Sequence, residues 1–247
     1  MNLRTLFLTK NLCYEVGKKH TPKGIMVHST GANNPKLSRY VGPDDGLLGN
    51  NPYNNHWNQP TPGGRKVCPH AFIGRLKDNS IATYQTLPWD MAGWHSGSGR
   101  LGSAQNANNS GYIGFEICED GLTDPVYFSK VYREAVELTA FLCVIHDIRP
   151  VEPYLIDHSE GHQLGIASNH ADVMHWFAKH GRNMDVFRAD VNAEMAKIAN
   201  RELLKAATKI SNRVPGGINI LMWSGNDREW KGKYADALLL KIADAWD

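Results

Sequence analysis

The sequence predicts an α/β domain, a central mixed β-sheet flanked by helices, followed by a small C-terminal appendage. Over residues 1–200, short apolar runs bounded by turn residues alternate with segments of helical periodicity, the interleaving expected of a sheet covered by helices. After the breaker cluster Val214-Pro215-Gly216-Gly217 this pattern gives way to an apolar run from Ile218 to Trp223. Leu239, Ile242, Ala243 and Trp246 then follow at helical spacing, so residues 201–247 read as a separate appendage. A length of 247 residues suits one such domain with an appendage better than two large domains.

Gly24, Ile25, Met26 and Val27 form a buried strand that ends at the polar string His28-Ser29-Thr30-Gly31. Residues 30–66 are rich in Asn, Pro and Gly, which predicts a long loop, and loops of that length usually carry function. Residues 70–74 and 80–85 read as two strands of a hairpin joined through Lys77-Asp78-Asn79. Residues 112–118 form another strand, with Ile113, Phe115 and Ile117 on one face and Tyr112, Gly114, Glu116 and Cys118 on the other.

Thr123 or Asp124 caps a helix with Pro125 at its first position, and Val131, Ala135, Leu138, Leu142 and Ile145 follow at spacings of 4, 3, 4 and 3. The helix is expected to stop near Arg149-Pro150. Tyr154, Leu155 and Ile156 form a last short strand delivering Asp157 and His158 into a loop, and a second long helix runs from about Asp185 to Lys209.

Composition narrows the function. The chain carries 27 Lys+Arg against 25 Asp+Glu, a net charge of +2, so no basic field points to nucleic acid or an anionic membrane. Near the N-terminus only Leu6, Phe7 and Leu8 form an apolar stretch, too short for a signal-peptide core or a membrane span, which implies synthesis in the cytoplasm and no membrane insertion. Cys13, Cys68, Cys118 and Cys143 are widely spaced and read as buried free thiols. The distinctive feature is 11 histidines and 7 tryptophans without any low-complexity tract.

Imidazole is the commonest metal ligand, and catalytic zinc takes three protein ligands with one position left for water. His28 and His158 follow apolar strands, and His170 lies in the loop after residue 165. The string His158-Ser159-Glu160-Gly161-His162 resembles a helical metalloprotease motif only superficially. Its glutamate stands two residues after the first histidine rather than next to it, and Gly161 argues against a helix.

Four strings taken together are specific. Val27-His28-Ser29-Thr30, Ile113-Gly114-Phe115-Glu116-Ile117-Cys118, His158-Ser159-Glu160-Gly161 and Ala167-Ser168-Asn169-His170-Ala171-Asp172, in this order, resemble zinc-dependent N-acetylmuramoyl-L-alanine amidases of the type 2 family, which includes phage lysins and peptidoglycan recognition proteins. The resemblance covers roughly residues 20–180 and includes Trp94-His95-Ser96-Gly97 beside the expected cleft.

It implies a type 2 amidase-like sheet, a Zn2+ cofactor and cleavage of the amide between N-acetylmuramic acid and L-alanine in bacterial peptidoglycan, with action on the cell wall after release. It also implies zinc ligands His28 and His158, with Glu116 as the catalytic acid on a central strand. Flanked there by Phe115 and Ile117, Glu116 would be partly desolvated and raised in pKa toward the range useful for proton transfer.

The family's third ligand is commonly a cysteine or an aspartate. Here the nearest match is His170, with Asp172 close behind as the alternative, and the position where some members carry an oxyanion-stabilising lysine holds Ser168. Trp94, His95 and Asn55 are candidates for substrate contact. Rival readings are a peptidoglycan-binding module without catalysis and a zinc peptidase acting on the stem peptide.

Overall fold

The computed structural model describes residues 1–213. The sequence-based reading of residues 214–247, including the run at Ile218 and the helical spacing through Trp246, lies outside the described residues. A compact unit spans Met1–Val191.

Its sheet has six strands: β1 (Leu3–Thr5), β2 (Gly24–Ser29), β3 (Ala71–Arg75), β4 (Ile81–Gln85), β5 (Tyr112–Ile117) and β6 (Leu155–Asp157). They lie in the order β1-β4-β3-β5-β2-β6. β3 and β4 pair antiparallel as the predicted hairpin, with Asn79 of its turn at a φ of 65°. All other pairings are parallel, so the sheet is mixed as expected. β2, buried along its whole length, sits inside the sheet between β5 and β6.

Helix α2 (Pro125–His146) begins as the sequence predicts. Asp124 accepts hydrogen bonds from the N–H groups of Val126 and Tyr127, and Pro125 occupies the first turn. Its Glu134 accepts from the Thr83 hydroxyl at 2.9 Å, which places α2 over the face carrying Thr83, Ile73 and Ile117, three residues in mutual register. That is the most apolar face, with Ile113, Phe115 and Ile117 fully buried. The opposite face holds two apolar clusters. One is built on Phe72, Leu37 and Tyr40, the other on Met26, Ile156, Ala107 and Ala167. Between the two lie His28 and Glu116, direct neighbours across β2 and β5.

The elements not legible in the sequence include β1, helix α1 (Leu12–Val16) and helix α3 (His158–Gln163). The last corrects an expectation, since Gly161 by its propensity argues against a helix. Asp157 caps α3 in a reciprocal box with Glu160, and Arg188 binds the Glu160 carboxylate. A Cβ at position 161 would stand 2.5 Å from the Met26 methyl and 3.2 Å from the Ala167 Cβ. Glycine is present here for close packing of α3 on β2, and the cap offsets its low helix propensity.

A short helix α4 (Met174–Phe177) precedes α5 (Met184–Arg213), the predicted second long helix. The four cysteines are buried free thiols. Among the described residues no helix is long and apolar enough to cross a membrane.

Candidate metal centre and cleft

His28 is delivered by the C-terminal end of β2 and is only 1 % exposed. His158 is the first residue of α3, so the Asp157 cap that fixes the helix start also fixes this side chain. Asp172 reaches the same point because its carbonyl accepts from the His158 N–H at 3.3 Å, pinning the backbones together. His28 Nδ1 lies 3.1 Å from His158 Nδ1 and 3.1 Å from Asp172 Oδ2, and His158 Nδ1 lies 3.7 Å from the same oxygen.

Zinc bonds of about 2.0–2.1 Å in a tetrahedral set place donor atoms about 3.3 Å apart, so these three atoms fit one ion. Among the described residues they are the one such group of His, Cys, Asp and Glu.

His170, expected as the third ligand, is outside this set. Its side chain is 61 % exposed, its ring stacks on His158 at 4.7 Å, and its Nδ1 stands 4.0 Å from Asp172 Oδ1. The backbone tie between Asp172 and His158 carries the aspartate inward and leaves the histidine two residues earlier on the rim. His175, three residues after Asp172, pairs through Nε2 with Glu119 Oε1 at 2.9 Å.

Burial lowers the pKa of His28, while its bond to Asp172 works the other way. Burial alone would raise the Asp172 carboxyl, but His158 and His28 outweigh it and hold it well below the usual carboxylate range. The group therefore presents an anion and two imidazoles rather than three imidazoles, a set suited to a divalent cation.

Glu116 is not an edge residue. It sits on β5 between β3 and β2, in register with Phe72 and His28. Its Oε2 is buried without a hydrogen-bond partner. Burial, with the nearby charges of Asp172 and Glu119, raises its pKa well above the ordinary value, against a smaller lowering by Arg65. A carboxyl in this state holds and gives up a proton closer to neutral pH than a solvated one does.

These groups line a cleft of about 490 Å³. Trp94 is in its wall, held by a two-way backbone pairing with Cys68, and Trp57 packs edge-on against Phe72 at 5.1 Å to line it as well. His95 lies in the cleft, but both of its ring nitrogens are taken, Nδ1 by His28 Nε2 at 3.0 Å and Nε2 by the Tyr112 carbonyl at 3.2 Å. It is therefore a support of the centre and has no free nitrogen to offer a substrate.

Asn55 does not line the cleft. It is exposed, bonded by the Asn51 amide and by Arg39. The sequence reading missed Arg65, a cation lining the cleft from the long 30–66 loop, for which no local pattern gave a signal.

Solved structures with a similar fold include the catalytic domain of XlyA, which is 22 % identical with a TM-score of 0.50, covering 77 % of this chain and 99 % of that one. The PlyG catalytic domain is 17 % identical with a TM-score of 0.52, over 79 % and 96 %. The hydrolase AmiA of Staphylococcus aureus, in complex with its ligand, is 19 % identical with a TM-score of 0.51, over 78 % and 82 %. No curated protein sequence matches the chain. Residues 18–175, which contain β2 through α3 and every residue of the candidate centre, match the family profile described as N-acetylmuramoyl-L-alanine amidase, and the chain belongs to that family.

Proposed function

We propose that the protein is a zinc-dependent peptidoglycan hydrolase that cleaves the amide between the lactyl group of N-acetylmuramic acid and L-alanine. The observation that supports this most directly is the convergence of His28 Nδ1, His158 Nδ1 and Asp172 Oδ2 beside the unpartnered Glu116 Oε2, in a chain of the amidase family.

His28, His158 and Asp172 hold the ion. When bound, zinc supplies a water nucleophile whose pKa falls from about 15.7 toward about 7 and polarises the scissile carbonyl. Glu116 accepts the proton of the attacking water at Oε2 and returns it to the departing L-alanine nitrogen, general acid–base help worth about 10²–10⁴-fold.

With Asp172 as third ligand, the residue two positions earlier is His170, not Ser168. His170 then takes the place where some family members carry a lysine. Its ring on the rim serves as the donor toward the oxyanion. Trp57 and Trp94 offer ring faces to the glycan and peptide.

Mass spectrometry of purified peptidoglycan digested with the protein tests the reading. Free muramyl lactate ends with new L-alanine N-termini are expected. Cleavage within the stem peptide indicates a peptidase, and binding without new ends indicates a non-catalytic module. Zinc quantification tests the ligand set: about one zinc per chain is expected in the native protein. Asp172→Ala is expected to lose it and His170→Ala to keep it, and the opposite pattern would restore His170 as ligand.

A further inference from the structure

We infer that His95 and Ser168 fix the tautomers of the two histidine ligands, so that each presents a bare Nδ1 to the metal before any metal arrives. The inference rests on the metal-centre reading and concerns how the protein prepares it.

Two hydrogen-bond chains lead away from the ligands, each ending on a backbone carbonyl that can only accept. The Tyr112 carbonyl faces His95 Nε2 at 3.2 Å, so Nε2 carries the proton and His95 Nδ1 is left as an acceptor. His95 Nδ1 faces His28 Nε2 at 3.0 Å, so His28 must donate from Nε2, which leaves His28 Nδ1 bare.

In the second chain the Ser168 hydroxyl donates to the Ser96 carbonyl at 3.2 Å. With its one proton committed, Ser168 Oγ accepts from His158 Nε2 at 3.2 Å, and His158 Nδ1 is bare as well. The two bare nitrogens are the ones that stand 3.1 Å apart beside Asp172.

The opposite assignment has an advocate in Asp172, whose carboxylate would draw a proton onto His28 Nδ1. His28 Nε2 would then be bare, His95 Nδ1 would have to donate, and a bare His95 Nε2 would oppose the Tyr112 carbonyl. That leaves two acceptors facing each other in the interior, a cost that the first assignment avoids.

The local structure is built for the His95 ring. The His95 and Ser96 N–H groups both bind Asn108 Oδ1 at 2.9 Å, which fixes the turn carrying the ring. Beneath it β5 has Gly114, where a Cβ would stand 2.3 Å from the ring. Ligand histidines generally need a partner on the second ring nitrogen. What is particular here is that a neutral histidine and a serine relay this role from two carbonyls.

The test is imidazole 15N NMR on zinc-free, full-length protein labelled at histidine, in mildly alkaline buffer, together with zinc affinity by chelator competition. Wild type is expected to show a protonated Nε2 and a bare Nδ1 at both His28 and His158. His95→Phe should move the His28 proton toward Nδ1 and weaken zinc binding by about 10–100-fold, the usual effect of losing such a partner.

His95→Asn places an amide oxygen near the former Nδ1 and should restore both readings, which a merely space-filling role would not require. Ser168→Ala should loosen the assignment at His158 alone and gives the same test if His95→Phe fails to fold. A wild-type His28 protonated on Nδ1, or a His95→Phe protein with an unchanged His28 tautomer, would overturn the inference. Wild type with the expected tautomers but no affinity for zinc would instead sink the metal reading and leave this one standing.

Discussion

Glu116 combines two properties that strand chemistry alone would keep apart. It lies on an interior strand in register with the buried Phe72, yet its side chain opens into the cleft with Oε2 unpartnered. If it moves protons and does not bind metal, Glu116→Gln should lower turnover by about 10²–10⁴-fold, with zinc content unchanged. A variant that loses zinc would make Glu116 a ligand. The same residue gives a pH signature in the metal-free protein. Burial and the charges of Asp172 and Glu119 raise the folded carboxyl above its ordinary 4.5, so the folded state keeps this proton longer than the unfolded chain. The stability contribution is complete below about pH 4.5 and is lost as pH rises through the folded value. Urea unfolding of wild type and Glu116→Gln across this range should show the shallower decline in the variant, and parallel curves would mean that Glu116 ionises at no cost. The sequence could single out His28, His158 and Glu116 because each lies within or directly follows a short apolar strand. Asp172 was not separable from His170, since the choice depends on a backbone bond from His158 to residue 172 that spacing does not encode.

At the scale of elements, α3 shows how one cap serves both stability and the site. Asp157 Oδ1 accepts from the Glu160 N–H at 2.7 Å, and the next residue is the proposed ligand His158. Asp157→Ala should cost about 1 kcal/mol through the lost cap and also weaken zinc binding, because the helix start is free to fray. Asp157→Asn keeps the acceptor. Burial pushes the Asp157 carboxyl up to about 6, so its contribution is complete below about 3.8 and falls as pH rises through about 6. Asn should therefore match wild type in acid and exceed it at neutral pH in chemical denaturation. An Asn variant as unstable as Ala would remove the cap from the explanation. The long elements were readable because their periodicity is an average over many residues: the β3–β4 hairpin, β5, α2 and most of α5. The short ones were not. β1 has three residues, and α3 has six and contains a glycine whose purpose is contact with Met26, a tertiary fact that outweighs local propensity.

For the whole molecule, the question is where the part needed for chemistry ends. The family match stops at residue 175, but the compact unit continues to Val191. The reason lies in the first turns of α5, where Met184, Phe187 and Val191 are buried at helical spacing. Phe187 packs against Tyr132 of α2 at 5.6 Å and against Phe177 at 5.9 Å. Arg188 donates to the Leu155 carbonyl at the start of β6 and binds Glu160 of α3, so it braces the strand and the helix that carry His158. A chain ending at residue 200 retains all of these contacts. It should fold, bind about one zinc and hydrolyse small muramyl-peptide substrates at the full-length rate, while action on whole cell walls is free to differ. A chain ending at residue 180 loses Phe187, Arg188 and Val191 together. Deleting a buried phenylalanine side chain alone costs about 3–5 kcal/mol, a large part of the roughly 5–15 kcal/mol that holds a domain together. It should therefore be unfolded or zinc-free although it contains every proposed ligand and Glu116. Circular dichroism, zinc content and small-substrate turnover on the two truncations decide the matter. An active protein ending at residue 180 would show that the family core stands without α5, and a folded protein ending at residue 200 that binds no zinc would place the boundary farther along the chain.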